Sequence, residues 1–154
     1  MELYDWLLLI HILAAIAWVG GATTINILAT RIRRAGTPED LVAFTGLAEW
    51  IGPRVYSLAS LVVLAMGIWM VAISDAWTIG QLWIVLALIG FAITAIGGAA
   101  YFGPESKRIR EAAEAEGPES ARAQALIRRI FLVSWFDLIL LVLIVADMVL
   151  KPGL

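Results

Sequence analysis

Four long apolar stretches dominate this chain, and two of the segments that separate them carry ten of its eleven Lys and Arg residues. Arg31, Arg33, Arg34 and Arg54 flank the first of these segments, and Lys107, Arg108, Arg110, Arg122, Arg128 and Arg129 occupy the other. The connection between them, Ser74 to Gly80, has Asp75 and no basic residue. Glu2 and Asp5 lie at the start of the chain and Lys151 at its end. Basic loops stay on the cytoplasmic side of an energised membrane, so this pattern predicts four crossings with both termini outside, in the plasma (inner) membrane of a cell. The expected fold is all-α, a four-helix transmembrane bundle with cytoplasmic helical extensions.

Composition agrees with that class. A chain of 154 residues that is 62% hydrophobic, with mean hydropathy +0.91, has more apolar surface than a soluble core of its size can hide, so the lipid bilayer is its first partner. The net charge of -2 argues against nucleic acid, and Glu39, Asp40, Glu111, Glu114, Glu116 and Glu119 interleave with the basic residues as expected of solvated, ion-paired faces. The absence of cysteine removes disulfides and thiolate sites. The first apolar stretch is too long for a signal-peptide core and lacks a basic region before it, so it reads as a retained helix.

Hydropathy places the spans at about 6–28, 55–73, 77–103 and 130–150 within one domain, 1–154; at a rise of about 1.5 Å per residue each covers much or all of the hydrocarbon. Trp6, Trp69, Trp77 and Trp83 fall toward one boundary and Trp50 and Trp135 toward the other, while Trp18 lies near the midplane. Thr37-Pro38-Glu39-Asp40 has the pattern of a helix start. Leu41, Phe44, Leu47, Ala48 and Ile51 then recur at helical spacing, so a short amphipathic helix is expected on the membrane surface, ended by Gly52-Pro53. The Ala-, Glu- and Arg-rich run from Pro104 to Arg129 is broken at Gly117-Pro118 and reads as a hairpin of helical extensions. Gly90, Thr94 and Gly98, with Gly97 alongside, form a stripe that allows close helix approach, within the bundle or in a homo-oligomer.

His11 is the only histidine, and helical rise puts it roughly 9 Å inside the boundary. An imidazole at that depth faces protein or a cavity, as a ligand or as a group hydrogen-bonded to a neighbouring helix. Leu7, Leu8, Ala14, Ala15, Trp18, Gly21 and Ala22 share its helical face, and the small ones leave room for close packing or for a flat ligand. Met66 and Met70 are one turn apart on the second span, and Met70 and Met148 match His11 in depth. Thioether sulfur can complete a haem or, with imidazole, hold Cu(I), and methionine is also a common packing residue. Asp137, roughly 10 Å inside the opposite boundary, needs a partner or a proton, and Arg54 is the expected ion-pair partner, with Tyr56, Ser57 and Asn26 as alternatives. Asp147, near His11 in depth, is a candidate acceptor for the imidazole or an interfacial carboxylate in water. No phosphate loop, nucleophile–base pair or carboxylate dyad is evident, so a soluble-enzyme mechanism has no support.

The run His11-Ile-Leu-Ala-Ala-Ile-Ala-Trp18-Val-Gly20-Gly21 resembles the first-helix pattern of the copper-resistance D superfamily and of the membrane-bound, haem-containing protoporphyrinogen oxidases. The closing Met148-Val-Leu-Lys151-Pro152-Gly153 resembles the end of a related family known only as predicted integral membrane proteins. In the oxidases the matching histidine is implicated in haem binding, which implies that role for His11. The oxidases also depend on a basic residue within the spans, and Lys107 and Lys151 both lie at boundaries here, which argues against the oxidase activity itself. Three functions follow as expectations. The first is a b-type haem protein in electron transfer or tetrapyrrole redox chemistry, with a cofactor set of His11, Trp18, Gly21, Met70 and Met148. The second is a copper-handling protein using His11, Met66 and Met70. The third is a cofactor-free subunit that packs in a larger membrane complex.

Overall fold

The computed structural model describes residues 2–153, and of Pro53 the backbone alone. Six α-helices follow in order: α1 Leu3–Ala35, α2 Pro38–Ile51, α3 Ser57–Ile73, α4 Leu82–Gly97, α5 Gly103–Glu116 and α6 Ala121–Leu150. Two π-helical turns, Gly52–Tyr56 and Gly98–Phe102, join α2 to α3 and α4 to α5 without a break, and the described residues contain no strand. The result is four continuous helices long and apolar enough to cross a membrane: Leu3–Ala35, Pro38–Ile73, Leu82–Glu116 and Ala121–Leu150. The four-helix expectation therefore holds.

The spans pack chiefly as two pairs, joined through α1 and α6. α1 lies along α3 and also meets α6, and α6 packs on α4. At one end, α2 and α5 close over the bundle around Leu41, Ile109 and Ile127. This end carries ten of the basic residues and is termed the basic end; the other, with both termini and the 74–81 connection, is the terminal end. A second core of Trp18, Ala59 and Leu141 lies between them. The outward faces are apolar and bare, with Ile16 62%, Leu132 67% and Val149 74% exposed, as lipid-facing surfaces should be.

The helix starts follow their capping chemistry. Thr37 Oγ1 accepts from the Asp40 N–H at 3.2 Å while the Asp40 carboxylate accepts from the Thr37 N–H at 2.9 Å, so the helix start expected there is closed by a reciprocal box. The Glu2 N–H donates to the Asp5 carboxylate at 2.8 Å, which lets α1 begin before Trp6. Gly117, with φ 89°, ends α5 in a conformation that favours glycine, and Ser120 Oγ accepts from the Ala123 N–H to start α6.

Two expected boundaries are corrected. The Gly52-Pro53 pair does not end the helix that starts at Pro38, which is therefore no separate surface helix but runs on into α3 as Pro38–Ile73. Proline has no N–H to give and its ring crowds the preceding turn, and here the chain widens instead, with the Ser57 N–H reaching back to the Gly52 carbonyl. The third span begins at Leu82 instead of Trp77. The Gln81 side chain accepts from the Thr78 N–H and donates to the Ala76 carbonyl, holding 74–81 as a turn, and Trp77 Nε1–H donates from that turn to Tyr4 Oη at 3.3 Å. Lys151 closes the same end, its Nζ 4.2 Å from the centroid of Trp77 and 5.4 Å from that of Trp83.

The glycine stripe is used inside the chain at one position. A Cβ on Gly90 would meet Ile144 Cγ1 at 2.7 Å, so its absence sets the α4–α6 approach, whereas Gly97 and Gly98 face open space. Among the described residues the basic residues that form ion pairs all belong to the second segment, while Arg33 and Arg54 lie over aromatic rings. Arg110 pairs with Glu49 at 2.7 Å, Arg122 with Glu116 at 3.1 Å, and Arg108 with the buried Glu105 at 3.1 Å.

Candidate functional site

His11 sits at the α1–α3 seam, and Gly67 explains how it gets there. A Cβ on Gly67 would lie 3.2 Å from His11 Cε1, a tight contact that the glycine avoids, so the ring rests close to the α3 backbone. Nδ1 lies 2.8 Å from the Val63 carbonyl oxygen. A carbonyl can only accept, so Nδ1 carries the proton, and in the neutral ring Nε2 holds the free lone pair. Nε2 has no protein hydrogen-bond partner among the described residues. The Val63 carbonyl thus fills the orienting role anticipated for Asp147, whose Oδ2 is buried without a hydrogen-bond partner.

The proposed sulfur ligands divide between two helices. On α3, Met66 immediately precedes Gly67 and Met70 follows it by three residues; at about 100° per residue both fall on the same side of Gly67, the side that also carries Val63. Met70 is 8% exposed and Met66 half-buried. Met148 belongs to α6, which packs on α4 and α1. Sequence reasoning missed Gly67 and Val63; the one signal for Gly67 was an isolated glycine inside an otherwise apolar helix.

Trp18 and Gly21 do not gather around His11. The Trp18 ring meets Phe91 edge to face at 5.6 Å and packs with Ala59 and Leu141. Gly21 receives the Tyr56 ring, since a Cβ there would lie 2.6 Å from Tyr56 Cε1. The room that small residues on α1 offered a flat ligand is, at Gly21, already occupied by this chain's own tyrosine.

Further toward the basic end the packing opens. A cavity of about 490 Å3 runs from Trp18 toward α2 and α5, and His11 is not in its lining. Asn26, 3% exposed, sits in its wall with its hydrogen bonds met inside the protein: Oδ1 accepts from Ser134 Oγ at 3.0 Å and Nδ2 donates to the Ala22 carbonyl. Asp137 also lines the cavity. The expected Asp137–Arg54 pair is not formed. The Arg54 guanidinium instead lies over the Trp50 ring, 4.7 Å from its centroid, and donates to the Trp50 carbonyl one turn back. A match in depth along two helices does not bring side chains together unless the faces also match, and Arg54 finds its partners on its own helix.

Among the described residues no group of three or more His, Cys, Asp or Glu side chains converges as a metal site. No curated protein and no solved structure matches the chain. Residues 5–152 match the family model described as "Predicted integral membrane protein (DUF2269)", a range that takes in His11, Met66, Met70, Met148 and the cavity. The chain is thus an integral, multi-pass membrane protein and belongs to that family.

Proposed function

We propose that the protein handles copper within the membrane, holding Cu(I) at the α1–α3 seam through His11 Nε2 and the thioether sulfurs of Met70 and Met66. The observation that carries this reading is the bond from His11 Nδ1–H to the Val63 carbonyl. Metal-bound imidazoles characteristically donate their other nitrogen in this way, which fixes the ring and strengthens the ligating one. Imidazole with thioether is a soft donor set suited to Cu(I), and donors drawn from two adjacent helices need no cavity. In this reading the chain lies in the plasma (inner) membrane with its basic loops cytoplasmic.

Haem b with His11 as axial ligand, and Met70 or Met148 as the sixth, is the second reading, favoured by the same hydrogen bond and by the first-helix resemblance. The residues present fit the axial bond and not the macrocycle. The space at Gly67 holds the imidazole, that at Gly21 holds Tyr56, and the large cavity begins only at Trp18. A compact ion asks for less, which places copper ahead of haem.

The test is a titration of detergent-purified protein with Cu(I) under reducing, anaerobic conditions against a chromophoric chelator. One Cu(I) per chain is expected, with binding weakened at least tenfold in His11→Ala and by smaller factors in Met70→Leu and Met66→Leu. Failure to draw any Cu(I) from the chelator overturns the copper reading. A Soret band in the purified protein that His11→Ala abolishes replaces it with haem, and a colourless protein without metal leaves the cofactor-free subunit.

A further inference from the structure

The cavity at the basic end is unusual in its charge. Ten Lys and Arg residues lie at this end of the molecule, yet none lines the cavity, while Glu49 and Asp137 both do. Glu49 is neutralised by Arg110 at 2.7 Å. Asp137 takes part in no ion pair or hydrogen bond among the described residues. A carboxylate among apolar side chains at membrane depth needs a positive or hydrogen-bonding partner, and this one faces a space large enough to admit it.

The rest of the lining points to what that partner is. Trp18, Phe44, Tyr56, Phe102 and Phe131 contribute five aromatic rings. One of them, Phe131, already carries a cation, Arg33, 5.0 Å from its centroid. Aromatic faces attract cations, most strongly when water is excluded, and the half-buried Asp137 carboxylate adds an opposite charge. A volume of about 490 Å3 falls within the roughly 300–1,000 Å3 of small-molecule sites. Asn26 is already satisfied by Ser134 and Ala22, so the recognising charge is that of Asp137.

We propose that this cavity binds an amphipathic organic cation, its charged head against Asp137 and its apolar body among the aromatic rings. The proposal goes beyond the copper reading and is independent of it, since His11 and the seam methionines lie outside the cavity. An anion of the same shape is excluded by the same carboxylate. A neutral ligand of equal size gains the apolar contacts and loses the charge interaction.

The experiment compares tetraphenylphosphonium with tetraphenylborate, ions of nearly identical shape and opposite charge, by equilibrium dialysis against the full-length protein in a neutral detergent. Saturable binding of the phosphonium is expected, at least tenfold tighter than any binding of the borate. Asp137→Asn should remove that preference, while Glu114→Gln, an exposed change on α5, should leave it intact. Gly98→Leu provides a second variant. A Cβ on Gly98 meets nothing within 4 Å and the residue lines the cavity, so the leucine should occupy ligand space without disturbing the fold and weaken phosphonium binding at least fivefold. Equal affinity for the two ions, or an unchanged preference in a folded Asp137→Asn protein, overturns the proposal. Cu(I) binding at the seam should be the same in all three variants, which keeps failure of this proposal distinct from failure of the copper reading.

Discussion

The terminal half of the α1–α3 seam and the basic-end cavity are built from the same two kinds of residue, small side chains and isolated polar ones, with opposite results. At the seam, the glycine is filled to contact by the His11 ring, and that ring's Nδ1 is satisfied by a backbone carbonyl. In the cavity, glycines such as Gly98 face open space and the Asp137 carboxylate has no partner. Small residues in a membrane helix therefore do not define a ligand slot by themselves. What matters is whether a neighbouring helix has already moved into the space.

The largest test of this contrast is all or none. If the basic end is cytoplasmic, a cysteine at exposed Asp75 should react with an impermeant thiol reagent in intact cells and one at exposed Glu114 only after lysis. The reverse pattern would exchange the two compartments that the seam and the cavity face.

Packing should separate the regions next. Gly67→Leu has to displace the His11 ring, an overpacking expected to destabilise by about 1–3 kcal/mol, whereas Gly98→Leu enters open space and should change thermal unfolding in detergent far less. Comparable losses in the two variants would mean that the cavity is as tightly filled as the seam.

A smaller effect is expected where the cavity is covered. α2 forms one wall through Leu41, Phe44 and Ala48, and its start depends on the Thr37–Asp40 box. Thr37→Ala should lower stability by about 0.5–2 kcal/mol and raise amide exchange along α2 while leaving α3 around Val63 protected. Uniform acceleration in both helices would show that wall and seam open together. The Glu49–Arg110 pair, its side chains 31% and 43% exposed, should show a coupling of only about 0.2–1 kcal/mol in a double-mutant cycle. A coupling of several kcal/mol would make that pair a latch on the cavity.

Much of the fold was legible because hydropathy is a property of composition along the chain. All four spans appear, and the Thr37 start and the Gly117 break fall where turn chemistry put them. The misplaced boundaries depended on contacts that hydropathy does not see: Gln81 shaping the turn before α4, and a π turn absorbing Pro53. His11 stood out as a lone imidazole at depth. Its partner did not, because every residue has a carbonyl and nothing in the letters distinguishes that of Val63. Asp137 stands out in the letters as a carboxylate at depth, and depth alone matches it to Arg54, which the structure places over Trp50 instead. Helical azimuth, which decides the matter, depends on how the helices turn toward each other.

The two π turns place a constraint on the chain's length. Each closes with a hydrogen bond one residue longer than the α-helical one, so each takes up a single extra residue without turning the helix beyond it. Removing one residue from Gly98–Phe102 would let α4 run into α5 as an ordinary helix with the faces of α5 kept, whereas one more residue, with the bulge already used, would turn α5 by about 100°. Ile109 would then leave the contact with Leu41 and Ile127, and Arg110 would swing away from Glu49. A single deletion in these five-residue turns should therefore be far better tolerated than a single insertion, because the register of the whole basic end is counted through them.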